Sequence, residues 1–131
     1  MSTEADRIID SHIHFIDPGA FHYDWLDAVP AINQVALPRD VDTGGYRVDG
    51  FVVVEADCHP AEALAEVVWV AELAQNDHRI AGIVAHVDLE RASVRHDALE
   101  ELAGTPTAVG VRRLLQDEPA DFVARPDFHE G

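Results

Sequence analysis

The sequence predicts an α/β domain built on a parallel sheet, and three observations predict it. Gly50-Phe51-Val52-Val53-Val54-Glu55-Ala56 is an unbroken, mostly β-branched run, the pattern of a strand buried on both faces. Strand-like runs alternate with segments of helical period at intervals of roughly 30 residues, the length of a strand-helix-strand unit with a right-handed crossover. The chain has 131 residues, 47% of them hydrophobic, enough for one domain with a real core.

The elements follow in order. Arg7-Ile8-Ile9-Asp10 reads as a short first strand. Residues 15–38 are irregular, punctuated by Pro18, Gly19, Pro30 and Pro38. A loop of this length is often functional, and its aromatics (Phe15, Phe21, Tyr23, Trp25) either cover a site or simply pack. Gly44-Gly45 marks a turn, and it is no phosphate loop because no Lys-Ser/Thr follows. After the strand at 50–56, His59-Pro60-Ala61-Glu62 opens a helix, with Pro60 in its first turn. Leu64, Val67, Val68, Ala71 and Ala74 give that helix its apolar stripe. Residues 80–87 form the next buried strand. Ser93 is a candidate N-cap for a second helix, whose Val94, Ala98 and Leu102 face one way and which Gly104 ends. Residues 108–111 form a fourth strand, and after Leu115 the chain turns polar.

Composition excludes several function classes. Nine Arg, no Lys and 25 Asp+Glu give a net charge of −16, which repels nucleic acid and anionic membrane. Cys58 is the only cysteine, so no internal disulfide forms and a reducing cytoplasm is expected. It has no partner motif for nucleophilic catalysis and reads as an unreactive thiol. Residues 1–6 are polar and acidic, unlike a signal peptide. The longest apolar-rich stretch, 61–74, is interrupted by Glu62, Glu66 and Glu72, so no membrane span is expected.

The chemistry concentrates in Asp10-Ser11-His12-Ile13-His14. On a strand, the period of two puts Asp10, His12 and His14 on one side. Two neutral imidazoles so placed reach one divalent ion together, and zinc is the usual ion for such donors. Asp10 either orients an imidazole or caps the next segment. Glu55 lies at a strand end, where it either joins the site or makes a salt bridge. Arg112 shares a strand face with Ala108 and Gly110, small residues that leave room for it to project into a cavity. Arg113, Glu55 and His86 are all placed near strand ends.

Three blocks carry a family resemblance: Asp10-Ser-His-Ile-His14-Phe-Ile-Asp17-Pro18, Gly50-Phe-Val-Val-Val-Glu55-Ala56, and Gly110-Val-Arg112-Arg113-Leu-Leu-Gln116-Asp117-Glu118-Pro119. In this order and spacing they resemble the N-terminal half of an amidohydrolase-superfamily hydrolase, in the subgroup acting on sugar lactones. The resemblance implies a partial (β/α)8 TIM barrel: about the first four parallel strands with intervening helices, residues 1–131 forming one half-barrel domain. It implies His12 and His14 as metal ligands, although some relatives use no metal. It implies Asp10, Glu55 and His86 as residues lining the site, and Arg112 and Arg113 as the side that holds a small-molecule substrate's anionic or hydroxylated groups. The remaining metal ligands and the water-activating aspartate of that superfamily lie on later strands, so none of Asp88, Asp117 or Asp127 is assigned that role.

Three expectations follow. The chain derives from a metal-dependent hydrolase of a lactone or a related cyclic ester or amide. Alternatively it is a non-catalytic half-barrel that binds or assembles, as a homodimer or with a complementing C-terminal half, because open sheet edges seek pairing. Or it is an incomplete gene product, since a complete barrel needs roughly 250 residues.

Overall fold

The computed structural model describes residues 7–131. The polar segment 1–6, read above as unlike a signal peptide, lies outside them. Four parallel strands form one open sheet in the order β1-β2-β3-β4: β1 (Ile8–Ile13), β2 (Val48–Val54), β3 (Ile80–His86) and β4 (Ala108–Arg112). α1 (Ala63–Asn76) connects β2 to β3, and α2 (Ala92–Ala103) connects β3 to β4. This is the alternation that the sequence predicts. Among the described residues no helix is long and apolar enough to cross a membrane.

The main core lies between the sheet and the helices. Phe51, Val53, Ile83 and Ala85 project from alternate positions of β2 and β3 onto Val67 and Val70 of α1 and Leu102 of α2, all buried. The opposite face carries Val52, Val54 and Val84. At its C-terminal end it carries His86, which registers with Arg112. A second, smaller cluster (Ile16, Phe21, Tyr23, Leu26, Ala56, Cys58) packs the long connection against the end of β2 and Trp69 of α1. Most of the loop's aromatics are therefore packing residues. The connection is not structureless: 3-10 turns run over Asp24–Ala28, Pro30–Ile32 and Pro38–Asp40, and Ile16 bridges Ala36.

Several boundaries differ from the sequence expectation. β1 does not stop at Asp10 but runs on to Ile13, with a register shift between the two, so His12 lies on the strand and His14 just past its end. β2 ends at Val54, so Glu55 begins the turn beyond it. Val68 is exposed, because the buried stripe of α1 is rotated onto Ala63, Glu66, Val67 and Val70. Ser93 is not the cap of α2. Arg91 holds that position, its carbonyl already accepting from the Val94 and Arg95 amides, and no side chain caps the helix. The polar tail holds two elements that its composition hides, a 3-10 turn at Phe122–Ala124 and α3 (Pro126–Glu130), joined by the Phe122–Phe128 ring contact.

Candidate functional site

β1 delivers two imidazoles to the C-terminal end of the sheet. His12 Nε2 and His14 Nε2 stand 3.2 Å apart, with the rings nearly perpendicular. His14 Nδ1 lies 2.8 Å from the Val54 carbonyl oxygen. A carbonyl only accepts, so Nδ1 carries a proton, and Nε2 is the nitrogen that the ring turns toward His12. The donor set fits a metal: zinc-nitrogen bonds of about 2.0–2.1 Å in tetrahedral geometry separate two nitrogens by about 3.3 Å. Among the described residues no group of three or more His, Cys, Asp or Glu side chains is gathered for a metal, so this pair supplies at most part of a coordination sphere. Asp10 does not touch either ring. Its Oδ1 accepts from the His12 backbone N–H at 3.0 Å, a local turn that fixes the entry to the motif.

Glu55 is buried, 1% exposed, just past β2. Arg112 on β4 reaches it with Nε at 2.8 Å and Nη2 at 2.7 Å from the same carboxylate oxygen, and Nη2 also donates to the Glu55 carbonyl. The other carboxylate oxygen accepts from the Asp57 N–H at 2.7 Å. Arg112's charge is thus balanced within the protein, and Nη1 stands outside these bonds.

Beside this pair lies a cavity of about 260 Å³ lined by His14, Trp25, Asp57, Arg112, Gln116 and Asp117, together with Ala56 and Leu114. Asp57 and Asp117 both sit in the left-handed region, with φ of 54° and 65°. Aspartate tolerates that region better than most residues, yet two at one cavity mark a constrained backbone of the kind found at functional sites. Burial, then the neighbouring Glu55, holds the Asp57 carboxyl above the usual carboxylate range. Trp25 donates from Nε1 to the Ala56 carbonyl at 2.8 Å, tying the long connection to the same turn.

The other sequence candidates lie elsewhere. Arg113 pairs with Glu90 at 2.9 Å and Glu118 at 2.7 Å and lies over the Phe122 ring, outside this cavity. Its pairing with Glu90, more than with Glu118, raises its basicity further. His86 Nε2 contacts Asp88 Oδ1 at 3.0 Å and borders a separate hollow between α1 and α2. Its Nδ1 is buried without a partner among the described residues. The sequence reading passed over Asp57. The signal available was its position two residues past a strand-end glutamate, where barrel folds place their chemistry.

No family model and no curated protein matches the chain. Solved structures do. An amidohydrolase from Burkholderia multivorans with bound zinc is similar at 28% identity and a TM-score of 0.73, over 94% of this chain and 43% of that one. An amidohydrolase from the same organism with bound HEPES is similar at 26% identity and a TM-score of 0.70, over 95% and 43%. Amidohydrolase 2 from Bifidobacterium longum subsp. infantis shares the fold at 22% identity and a TM-score of 0.66, over 93% and 44%. The chain spans less than half the length of these structures. Its four-stranded open sheet and its amidohydrolase neighbours are consistent with the N-terminal half of an amidohydrolase-like barrel.

Proposed function

We propose that the chain is the metal-binding half of a hydrolase acting on a lactone or a related cyclic ester or amide. The observation that carries this reading is the convergence of His12 Nε2 and His14 Nε2, with His14 locked by its bond to the Val54 carbonyl. The likeness to a zinc-bound amidohydrolase supports it. In the complete site His12 and His14 would hold a divalent ion, zinc by its donor preference, which polarises a carbonyl or activates water. His14's anchored ring orients its lone pair. Trp25 walls the cavity. Arg112, already neutralised by Glu55, offers a hydrogen bond to a neutral oxygen better than a charge to a carboxylate. Of the anionic or hydroxylated groups expected beside the two arginines, the neutral hydroxylated ones therefore suit the cavity better, since Asp57 and Asp117 repel negative charge. A reducing, cytoplasmic setting goes with this reading, supported by the single cysteine.

The test is equilibrium dialysis of the chain against zinc chloride, with His12→Ala and His14→Ala alongside, followed by a panel of neutral lactones. Each substitution is expected to weaken zinc binding at least tenfold. Unchanged zinc binding in both variants sinks the reading.

A second reading rests on a different observation. The outer edges of β1 and β4 are unpaired among the described residues, with Ile8, Ile9, Val109 and Val111 exposed on them. Such edges favour assembly with a complementing half-barrel or a second copy. A chain that stays monomeric at micromolar concentration argues against the second copy.

A further inference from the structure

Glu66 is a charged residue on the buried stripe of a helix. It lies on α1, 2% exposed, where the helical period calls for an apolar side chain. Its Oε2 accepts the Ala56 N–H at 3.1 Å. Its Oε1 is buried and has no partner among the described residues. A buried polar atom left unbonded costs free energy, so its retention here calls for an explanation.

Ala56 supplies one. It is the centre of the Glu55–Asp57 turn, and each part of that turn is held from a different element. Trp25 bonds the Ala56 carbonyl, Arg112 bonds the Glu55 carbonyl, and Glu66 bonds the Ala56 amide from the helix side. Asp57, in its left-handed conformation, directly follows these held groups in the chain, and it lines the cavity. We propose that Glu66 is a positioning residue: through the Ala56 N–H its carboxylate sets the turn that presents Asp57 to the cavity, and gain or loss of one proton there resets that turn. This inference does not depend on which reaction the cavity serves.

The chemistry supports both halves of the proposal. An ionised carboxylate accepts an N–H bond about twice as strongly as a neutral acid does, so protonation loosens the grip on Ala56. Burial pushes the Glu66 carboxyl up to about 7; the Ala56 N–H opposes the rise, Glu55 and Asp57 add to it, and Arg112 opposes it. Tyr23 and Cys58, from the loop cluster beside it, also feel the Glu66 charge, and burial raises both; Glu62, one helical turn before it, acts on Cys58 too and accepts the His22 N–H. Glu66 is thus poised to change charge near neutral pH.

The experiment is a pH titration of the full chain by two-dimensional nitrogen-proton NMR, following the Ala56 amide and the Trp25 indole N–H. Both signals are expected to move with one common midpoint near 7. In Glu66→Gln, which keeps an acceptor but cannot ionise, both are expected to stay flat. Flat signals in the wild-type chain overturn the proposal, and so does a titration that survives in Glu66→Gln. Should that variant not fold, the Glu66 carboxyl carbon signal in the wild-type chain decides: co-titration with the Ala56 amide supports the proposal, and a different midpoint overturns it.

Discussion

Arg112 is the residue on which the cavity wall depends most. Its partner Glu55 has a fully buried side chain, so removing the guanidinium strands a carboxylate whose other contact is the Asp57 N–H. Arg112→Ala is expected to cost about 3 kcal/mol, the low end for a broken buried pair because Arg112 is partly exposed; urea unfolding at neutral pH reads it. Arg112→Lys is expected to recover only part, since one ammonium can reach the carboxylate and the Glu55 carbonyl as Nη2 does but lacks the second donor that Nε gives the carboxylate. At this scale the sequence was legible where a simple period holds. Alternation alone placed His12 and His14 together. It could not show that Glu55 and Arg112 bond each other, because their contact joins strands 57 positions apart. It also passed over Glu66 as a polar interruption, because an inward-facing carboxylate breaks the pattern by which helix faces are read.

Among the elements, the β3–β4 pairing is the most sharply constrained. The register slips between Ile83 and Val84, and Val109 fills the slip by lying over Gly82. A Cβ on Gly82 would collide with the Val109 side chain and sit 3.1 Å from the Thr107 carbonyl oxygen. Gly82→Ala is therefore expected to destabilise by about 1–3 kcal/mol. Val109 is more than half exposed, so Val109→Ala alone is expected to cost little and to relieve much of the Gly82→Ala penalty. Thermal unfolding of the two single variants and the double variant checks the cycle; strict additivity would show that the collision is not the cause. Strands and helices were readable because buried β-branched runs and a 3.6-residue stripe leave strong patterns. The start of α2 was not, because backbone bonds to the Arg91 carbonyl begin that helix where the sequence offers Ser93. α3 was hidden for a similar reason, being five residues held by tertiary contacts, the Phe122–Phe128 ring contact and the Arg95 bond to the Glu130 carbonyl.

For the whole molecule, shape and charge pull in opposite directions. Two parallel edges, unpaired among the described residues, invite a partner, while a net charge of −16 pushes identical copies apart. Assembly with a second copy should then depend on salt. Sedimentation is expected to show more dimer as ionic strength rises from about 0.01 M to about 0.15 M, where screening shortens from about 30 Å to about 8 Å. A monomer at both strengths argues against a second copy as the occupant of those edges. Alternating strands and helices made the parallel sheet legible but not its order, since right-handed crossovers also build doubly wound sheets; only the barrel resemblance implied four strands side by side in chain order. What closes the remaining edges is a property of contacts that four strands do not contain.

The lone thiol of Cys58 has a practical consequence. It is buried in the cluster that backs the Ala56 turn, and burial pushes its pKa up to about 12. A thiol reagent reaches it only when that cluster parts, and no other sulfhydryl competes. The rate of its alkylation is therefore a clock for local opening, built into the native chain without any introduced label.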